Sequence, residues 1–208
     1  MSFDTDQEFE RNWWGTCGNT YGEETKQLLY AGMMGLLASH DGNSPYSFDV
    51  KGASIVDIGG GPCSLLLKCR NFTEAVVVDP CCYPAWVYER YRRCRIEPVV
   101  CIGENIINTK ADEVWIYNVL QHVKDPKKII ENAKSIAPIL RIFEWINIPP
   151  HEGHPHELTV NKLRKWIEWE PVYSYQEGTL NGENECYGQF MAGVFKTKKT
   201  SPSLLPKM

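Results

Sequence analysis

Five short stretches of this 208-residue sequence hold the residue types that do chemistry. Asp57 precedes the run Gly59-Gly60-Gly61-Pro62, and glycines there let the backbone turn sharply and let a ligand approach main-chain N–H groups with no Cβ in the way. Asp79-Pro80 offers a carboxylate able to accept hydrogen bonds from a pair of hydroxyls, such as a ribose diol. Glu104 and Asn105 follow Gly103, and Asn118-Val-Leu120-Gln-His122 adds an amide and an imidazole. Last comes His151-Glu-Gly-His154-Pro-His156-Glu157, whose three imidazoles and two carboxylates suit a base, a substrate clamp or a metal site.

The elements that must position these residues follow from the apolar runs. Ala53–Ile58, Ala75–Val78, Pro98–Ile102, Glu113–Tyr117 and Ile139–Ile146 read as strands, with helical patterns at Pro62–Cys69, Pro84–Arg93 and Pro126–Ala137 between them. Asp125 is placed to cap the last of these, with proline at its first position. Such continuous runs belong to strands covered on both faces. The expected fold class is α/β, a Rossmann-like doubly wound, mostly parallel sheet with helices on both faces. A helix at Val160–Trp169 follows, which Thr159 is placed to cap, and runs at Val172–Tyr175 and Tyr187–Phe195 flank Asn181-Gly182 as an antiparallel C-terminal pair. The pattern from Asp4 to Leu37 is helical with a break at Gly15–Gly22, so the chain divides into an N-terminal helical cap (1–52), a sheet domain (53–196) and a frayed tail (197–208).

In an open parallel sheet, ligands bind at the carboxyl ends of the strands, where all five stretches fall. Asp57 discriminates among ligands, because a pyrophosphate at this turn would be repelled by a carboxylate whereas an ammonium group would be attracted. The spacing also departs from Gly-x-Gly-x-x-Gly, since Ser64 stands where the third glycine would be.

Taken in order, the motifs resemble those of the class I S-adenosylmethionine-dependent methyltransferases, in particular the small type 11 group, over roughly Ser54 to Phe195. Val56–Ser64 looks like motif I, Val77–Pro80 like motif II, Ile102–Asn105 like motif III, and Ala111–Pro126 like the fourth strand with its turn and helix. The resemblance implies S-adenosyl-L-methionine as cofactor. It would put Asp57 and the Gly59, Gly60 and Gly61 backbone near the methionine moiety, Asp79 with Pro80 at the ribose, Glu104 or Asn105 at the adenine amine, and Asn118 to Leu120 at the sulfonium side. Two departures stand out: Cys63 replaces a frequent third glycine, which would narrow the methionine pocket, and Pro138-Ile-Leu-Arg141 replaces a Pro-Gly-Gly turn.

Methyl transfer from a sulfonium needs alignment, desolvation and, for an O–H or N–H nucleophile, a base. His122 reads as a turn residue or a base, and His154 or His156 as a base or substrate contact. The His-x-x-His-x-His spacing, broken by Gly and Pro, fits neither a helix nor a strand, so no metal is expected. Trp14 and Tyr21 in the cap are aromatic contacts for a sulfonium or adenine, or the cap's apolar attachment to the body.

Composition narrows the partners. With 43% apolar and 23% charged residues and a net charge of −4, the chain is globular and lacks the bulk positive charge of a nucleic-acid binder. The run Arg90, Arg92, Arg93, Arg95 reads as a solvated helix face, and no Asn-Pro-Pro-Tyr-type tetrapeptide follows the fourth strand. A small-molecule acceptor is expected, with RNA or protein acceptors still open, no membrane partner and no indication of oligomeric state. Neither an apolar leader nor a run of about 18 apolar residues is present, so a cytoplasmic setting is expected, with the eight cysteines reduced and Cys81-Cys82 read as thiols at a strand end. The competing readings are a catalytically silent cofactor-binding or scaffold protein of the same fold, and an NAD(P)-dependent oxidoreductase.

Overall fold

The computed structural model of the chain describes residues 3–39, 47–181 and 187–196. Two helices, α1 (Phe3–Trp14) and α2 (Thr20–Met33), precede two short strands, β1 (Ala38–Ser39) and β2 (Ser47–Asp49). The body then runs β3 (Ser54–Ile58), β4 (Cys69–Arg70), β5 (Glu74–Asp79), α3 (Ala85–Arg93), β6 (Glu97–Val100), β7 (Glu113–Tyr117), α4 (Pro126–Ile136) and β8 (Ile139–Ile146). It ends with α5 (Val160–Ile167), β9 (Glu170–Asn181) and β10 (Tyr187–Lys196).

Seven strands form the main sheet in the order β6-β5-β3-β7-β8-β10-β9. The first five are parallel; β10 pairs antiparallel with β9, as the sequence leads one to expect, and antiparallel with β8 as well, and its link to β9 includes residues 182–186, which lie outside the described residues. The chain moves outward from β3 through β5 to β6 and returns to β7 on the other side of β3, so strand order reverses beside β3 and opens a crevice there.

Alternation along the strands divides the core. Ile55, Trp115 and Phe143 point to the face covered by α2 and α3, where they meet Tyr30, Met34 and Tyr91. Val56, Ile116 and Ile142 point to the opposite face, against Ile129 and Ile130 of α4 and Leu163 of α5. The helix caps are the expected ones: the Asp125 and Thr159 side chains accept from the Lys128 and Lys162 amides.

One local expectation is corrected. The helix expected over Pro62–Cys69 is a single 3-10 turn, Leu65–Lys68, followed by β4, which pairs in parallel with β2. The main-chain N–H groups that would open a helix are taken by side chains: Ser64 N donates to the Tyr91 hydroxyl, Leu65 N to the Tyr117 hydroxyl and Leu66 N to Ser64 Oγ. The strand expected over Ile139–Ile146 is β8, with those bounds. Within it Arg141 pairs in register with Trp115, and its guanidinium meets Glu113 twice, at 2.6 and 2.9 Å, and donates to the Met34 carbonyl at 2.8 Å. Both residues are buried, and Trp115 Nε1 also donates to Glu113.

Candidate functional site

A cavity of about 610 Å3 opens at the carboxyl edge of the sheet, over the point where strand order reverses. Its floor is the loops after β3, β5, β7 and β8, and its roof is α1 and α2. α1 meets all four loops. Trp14 faces Gly61, Gln7 Oε1 lies 3.7 Å from the Cys81 thiol, Glu10 pairs with His122 at 2.9 Å, and the Phe9 ring sits on Gly153. The last contact is so close that a Cβ on Gly153, itself at φ +77, would lie 2.4 Å from the ring.

Among the expected residues, Gly59, Gly60, Gly61, Asp79, Pro80, Asn118, His122, His154 and Trp14 line this cavity. Gly61 adopts φ +62, and a side chain there would grow toward the Trp14 indole, 3.6 Å away, filling the space between loop and roof. Tyr21 lies on α2, and its side chain falls outside the described residues.

Asp79 accepts hydrogen bonds from Gly61 N at 3.0 Å through Oδ2, and from Cys81 N and the Tyr83 hydroxyl, both at 2.9 Å, through Oδ1. Burial raises its pKa despite these bonds. Oδ2 therefore keeps accepting capacity toward the cavity that Asp79 lines.

Asp57 is placed differently from the expectation. It is fully buried and absent from the cavity wall; Oδ2 accepts from Ser64 Oγ at 2.5 Å and the Tyr117 hydroxyl at 2.6 Å, while Oδ1 is buried without a partner. Burial pushes its carboxyl up to about 7 against the lowering effect of those two bonds. Asp57 is thus the internal tie of the glycine turn, with the turn itself between it and any ligand.

Glu104 and Asn105 also lie outside the cavity wall. Glu104 Oε1 accepts from the Lys124 and Asp125 amides at 3.0 and 2.9 Å, which fixes the start of α4, and Asn105 is exposed. Leu120 is buried beneath the wall. Its amide and that of Val119 donate to Glu144, a fully buried carboxylate on β8 that burial pushes up to about 8. His156 sits in a separate shallow groove beside Lys124 and Trp166, with Nε2 2.7 Å from the Val123 carbonyl.

The remaining imidazoles gather at one end of the cavity. His151 and His154 exchange backbone hydrogen bonds of 3.0 and 2.9 Å, their rings lie 4.2 Å apart, and His154 meets His122 edge-on at 4.3 Å. His122 Nδ1 faces two acceptors, Glu10 Oε1 at 2.9 Å and the Gly153 carbonyl at 2.8 Å, so Nδ1 carries the proton and Nε2 the lone pair of the neutral ring. Burial alone lowers the His122 pKa, but the hydrogen bond and charge of Glu10, with Gly153 and Glu144, turn the net shift upward. Burial, then His122 and His151, push His154 down to about 3, and its Nδ1 is buried without a partner.

Cys63 and Cys81 line the cavity as protonated thiols, each pushed up to about 12 by burial. Among the described residues no group of three or more His, Cys, Asp or Glu is arranged to hold a metal ion, and no helix is long and apolar enough to cross a membrane.

Glu10, Tyr83, Tyr117 and Glu144 did not stand out in the sequence. A lone carboxylate inside the apolar run of β8 is a signal for Glu144; none marks Glu10, whose partner lies in a distant loop.

No protein-family model matches the chain, and no curated protein matches it in sequence. Solved structures do resemble it. A Burkholderia thailandensis 1,6-didemethyltoxoflavin-N1-methyltransferase, crystallised with 1,6-didemethyltoxoflavin and S-adenosylhomocysteine, is 13% identical, with 93% of this chain and 84% of that one covered at a TM-score of 0.59. The magnesium protoporphyrin IX methyltransferase of Synechocystis, with bound S-adenosylmethionine, is 13% identical over 92% of this chain and 97% of that one, TM-score 0.59. An N-methyltransferase from Bradyrhizobium japonicum, in complex with S-adenosylhomocysteine, is 14% identical over 71% and 80%, TM-score 0.55. The chain has the Rossmann-like fold of the class I methyltransferases.

Proposed function

We propose that the chain is an S-adenosyl-L-methionine-dependent methyltransferase that methylates an oxygen or nitrogen of a small molecule in a cytoplasmic setting. The observation that carries this reading is the cavity itself, which lies at the reversal of strand order between a glycine turn, a carboxylate with spare accepting capacity and a partly buried imidazole–carboxylate pair.

The residues present fit the cofactor. Gly61 leaves the room beside Trp14 that a Cβ would take, Asp79 Oδ2 is available to a ribose hydroxyl, and Trp14 offers an aromatic face to a sulfonium or an adenine. When bound, S-adenosyl-L-methionine supplies a methyl group already activated on a sulfonium. The chain's own part is to exclude water beneath α1, to align the acceptor beside Asn118 and Val119, and to receive the acceptor's proton at His122 Nε2, with Glu10 holding the resulting imidazolium. Glu144 positions that loop by binding the Val119 and Leu120 amides.

Calorimetry with S-adenosyl-L-methionine and S-adenosyl-L-homocysteine tests the reading. Stoichiometric binding is expected, weakened roughly 10- to 150-fold in Asp79→Ala, the size of a lost charge-assisted hydrogen bond. Absence of binding by the folded wild-type chain would overturn it. A second reading, a protein of this fold that binds cofactor without transfer, is favoured by the withdrawal of Asp57, Glu104 and Asn105 from the cavity. Transfer of labelled methyl to any acceptor in a metabolite pool excludes it.

A further inference from the structure

We infer that the α1–β8 end of the cavity selects a flat, uncharged aromatic acceptor and rejects acidic ones. The inference rests on the methyltransferase reading, because it assigns the glycine turn and Asp79 to the cofactor and leaves the other end for the acceptor.

Three observations on that end point the same way. The first is its wall, which Phe9, Tyr30, Trp145 and Ile148 line with three aromatic rings and a branched side chain. Apolar aromatic walls of this kind hold a flat apolar ligand by burial and by offset or edge-on ring contacts. The second is charge. Among the described residues, Lys26 is the single lysine or arginine that lines the cavity, and it is paired with Glu23 at 2.8 Å, whereas Glu10 of α1 brings a carboxylate to this end. A ligand carboxylate or phosphate would be desolvated there with the one ammonium of the wall already engaged by Glu23. The third is His154, which lines this end and whose ring burial keeps uncharged at neutral pH. An uncharged imidazole in the wall suits a neutral hydroxyl, ring N–H or carbonyl and offers no counter-charge to an acid.

Size is consistent with this. The cavity of about 610 Å3 must hold cofactor and acceptor together, and pockets for single small ligands run from about 300 Å3 upward. That leaves room beside the cofactor for one or two fused rings.

The test is a matched pair of probes, 2-naphthol and 6-hydroxy-2-naphthoate, titrated by calorimetry into the full chain, first alone and then saturated with S-adenosyl-L-homocysteine. The expected result is binding of 2-naphthol at least tenfold tighter than of the carboxylated probe. His154→Leu should weaken 2-naphthol about tenfold while leaving S-adenosyl-L-homocysteine affinity within twofold. Ile148→Lys, which places a cation on the wall, should bring the carboxylated probe to parity or better. Equal or tighter binding of 6-hydroxy-2-naphthoate by the wild-type chain, or binding of neither probe, overturns the inference. The S-adenosyl-L-homocysteine titration reports separately on the methyltransferase reading; if that ligand fails to bind, the probe titrations on the free chain still decide what this end of the cavity accepts.

Discussion

The two ends of the central sheet treat buried charge in opposite ways. At the amino end of β7 and β8, Glu113 and Arg141 form a doubly hydrogen-bonded pair, and their remaining groups are taken by Trp115 Nε1 and the Met34 carbonyl. At the carboxyl end, Asp57 and Glu144 are buried and Asp79 is partly buried, each hydrogen-bonded to neutral partners, and desolvation raises the pKa of all three. The first arrangement is closed and joins α2 to the sheet. The second keeps carboxyl groups poised to exchange protons or hydrogen bonds, a state that costs folding stability and suits a site.

Breaking the closed end has the largest expected effect. Arg141→Ala strands Glu113 in the core and should lower the unfolding free energy by about 3–5 kcal/mol in chemical denaturation, whereas the double replacement Glu113→Leu with Arg141→Met should recover most of the loss. If Arg141→Ala costs no more than a surface substitution, the contrast between the two ends fails.

The open end should respond to pH instead. Glu144 has a folded pKa of about 8 against an ordinary value of 4.5, so between those values the folded chain holds a proton that the unfolded chain has released. Its contribution to stability is therefore fully present below 4.5 and is lost as pH rises through 8. From pH 5 to 8 that loss is of the order of 2–4 kcal/mol. Glu144→Gln, which keeps an acceptor for the Leu120 amide, should flatten the slope when unfolding is followed across this range.

A smaller effect sharpens the functional side. Glu10 raises the His122 pKa, so the rising limb of methyl transfer against pH, where His122 loses its proton, should stand above 6.5. Glu10→Gln should move that limb down by about one pH unit, which is about 1.4 kcal/mol of imidazolium stabilisation. An unmoved limb would take His122 out of the proton path.

How far all this was legible from the sequence depends on how local the cause is. The parallel strands, the antiparallel C-terminal pair and the Asp125 and Thr159 caps follow from periodicity and from side chains that act within a turn. The helix expected after Gly61 failed because Tyr91 and Tyr117 reach in from other elements and take the amides of Ser64 and Leu65. The Glu113–Arg141 pair left no signal because its two members stand on neighbouring strands. The site divided in the same manner. Asp79 and the glycines stand in the cavity wall, where strand ends alone put them, but Asp57 turned inward because Ser64 and Tyr117 bind it, and Glu104 was drawn to the start of α4. Spacing in one dimension carries no trace of such pairings.

The position of α1 bears on how the molecule assembles. Each of its four contacts, at Gly61, Cys81, His122 and Gly153, joins the first dozen or so residues to a loop far along the chain. Contacts between remote segments carry the largest loop-closure entropy and form after the local ones. The two core faces are buried by the sheet and its flanking helices, whereas the cavity is enclosed only where α1 is seated on the loops. Displacing that one helix would open the interior of the site and leave every strand pairing of the sheet in place.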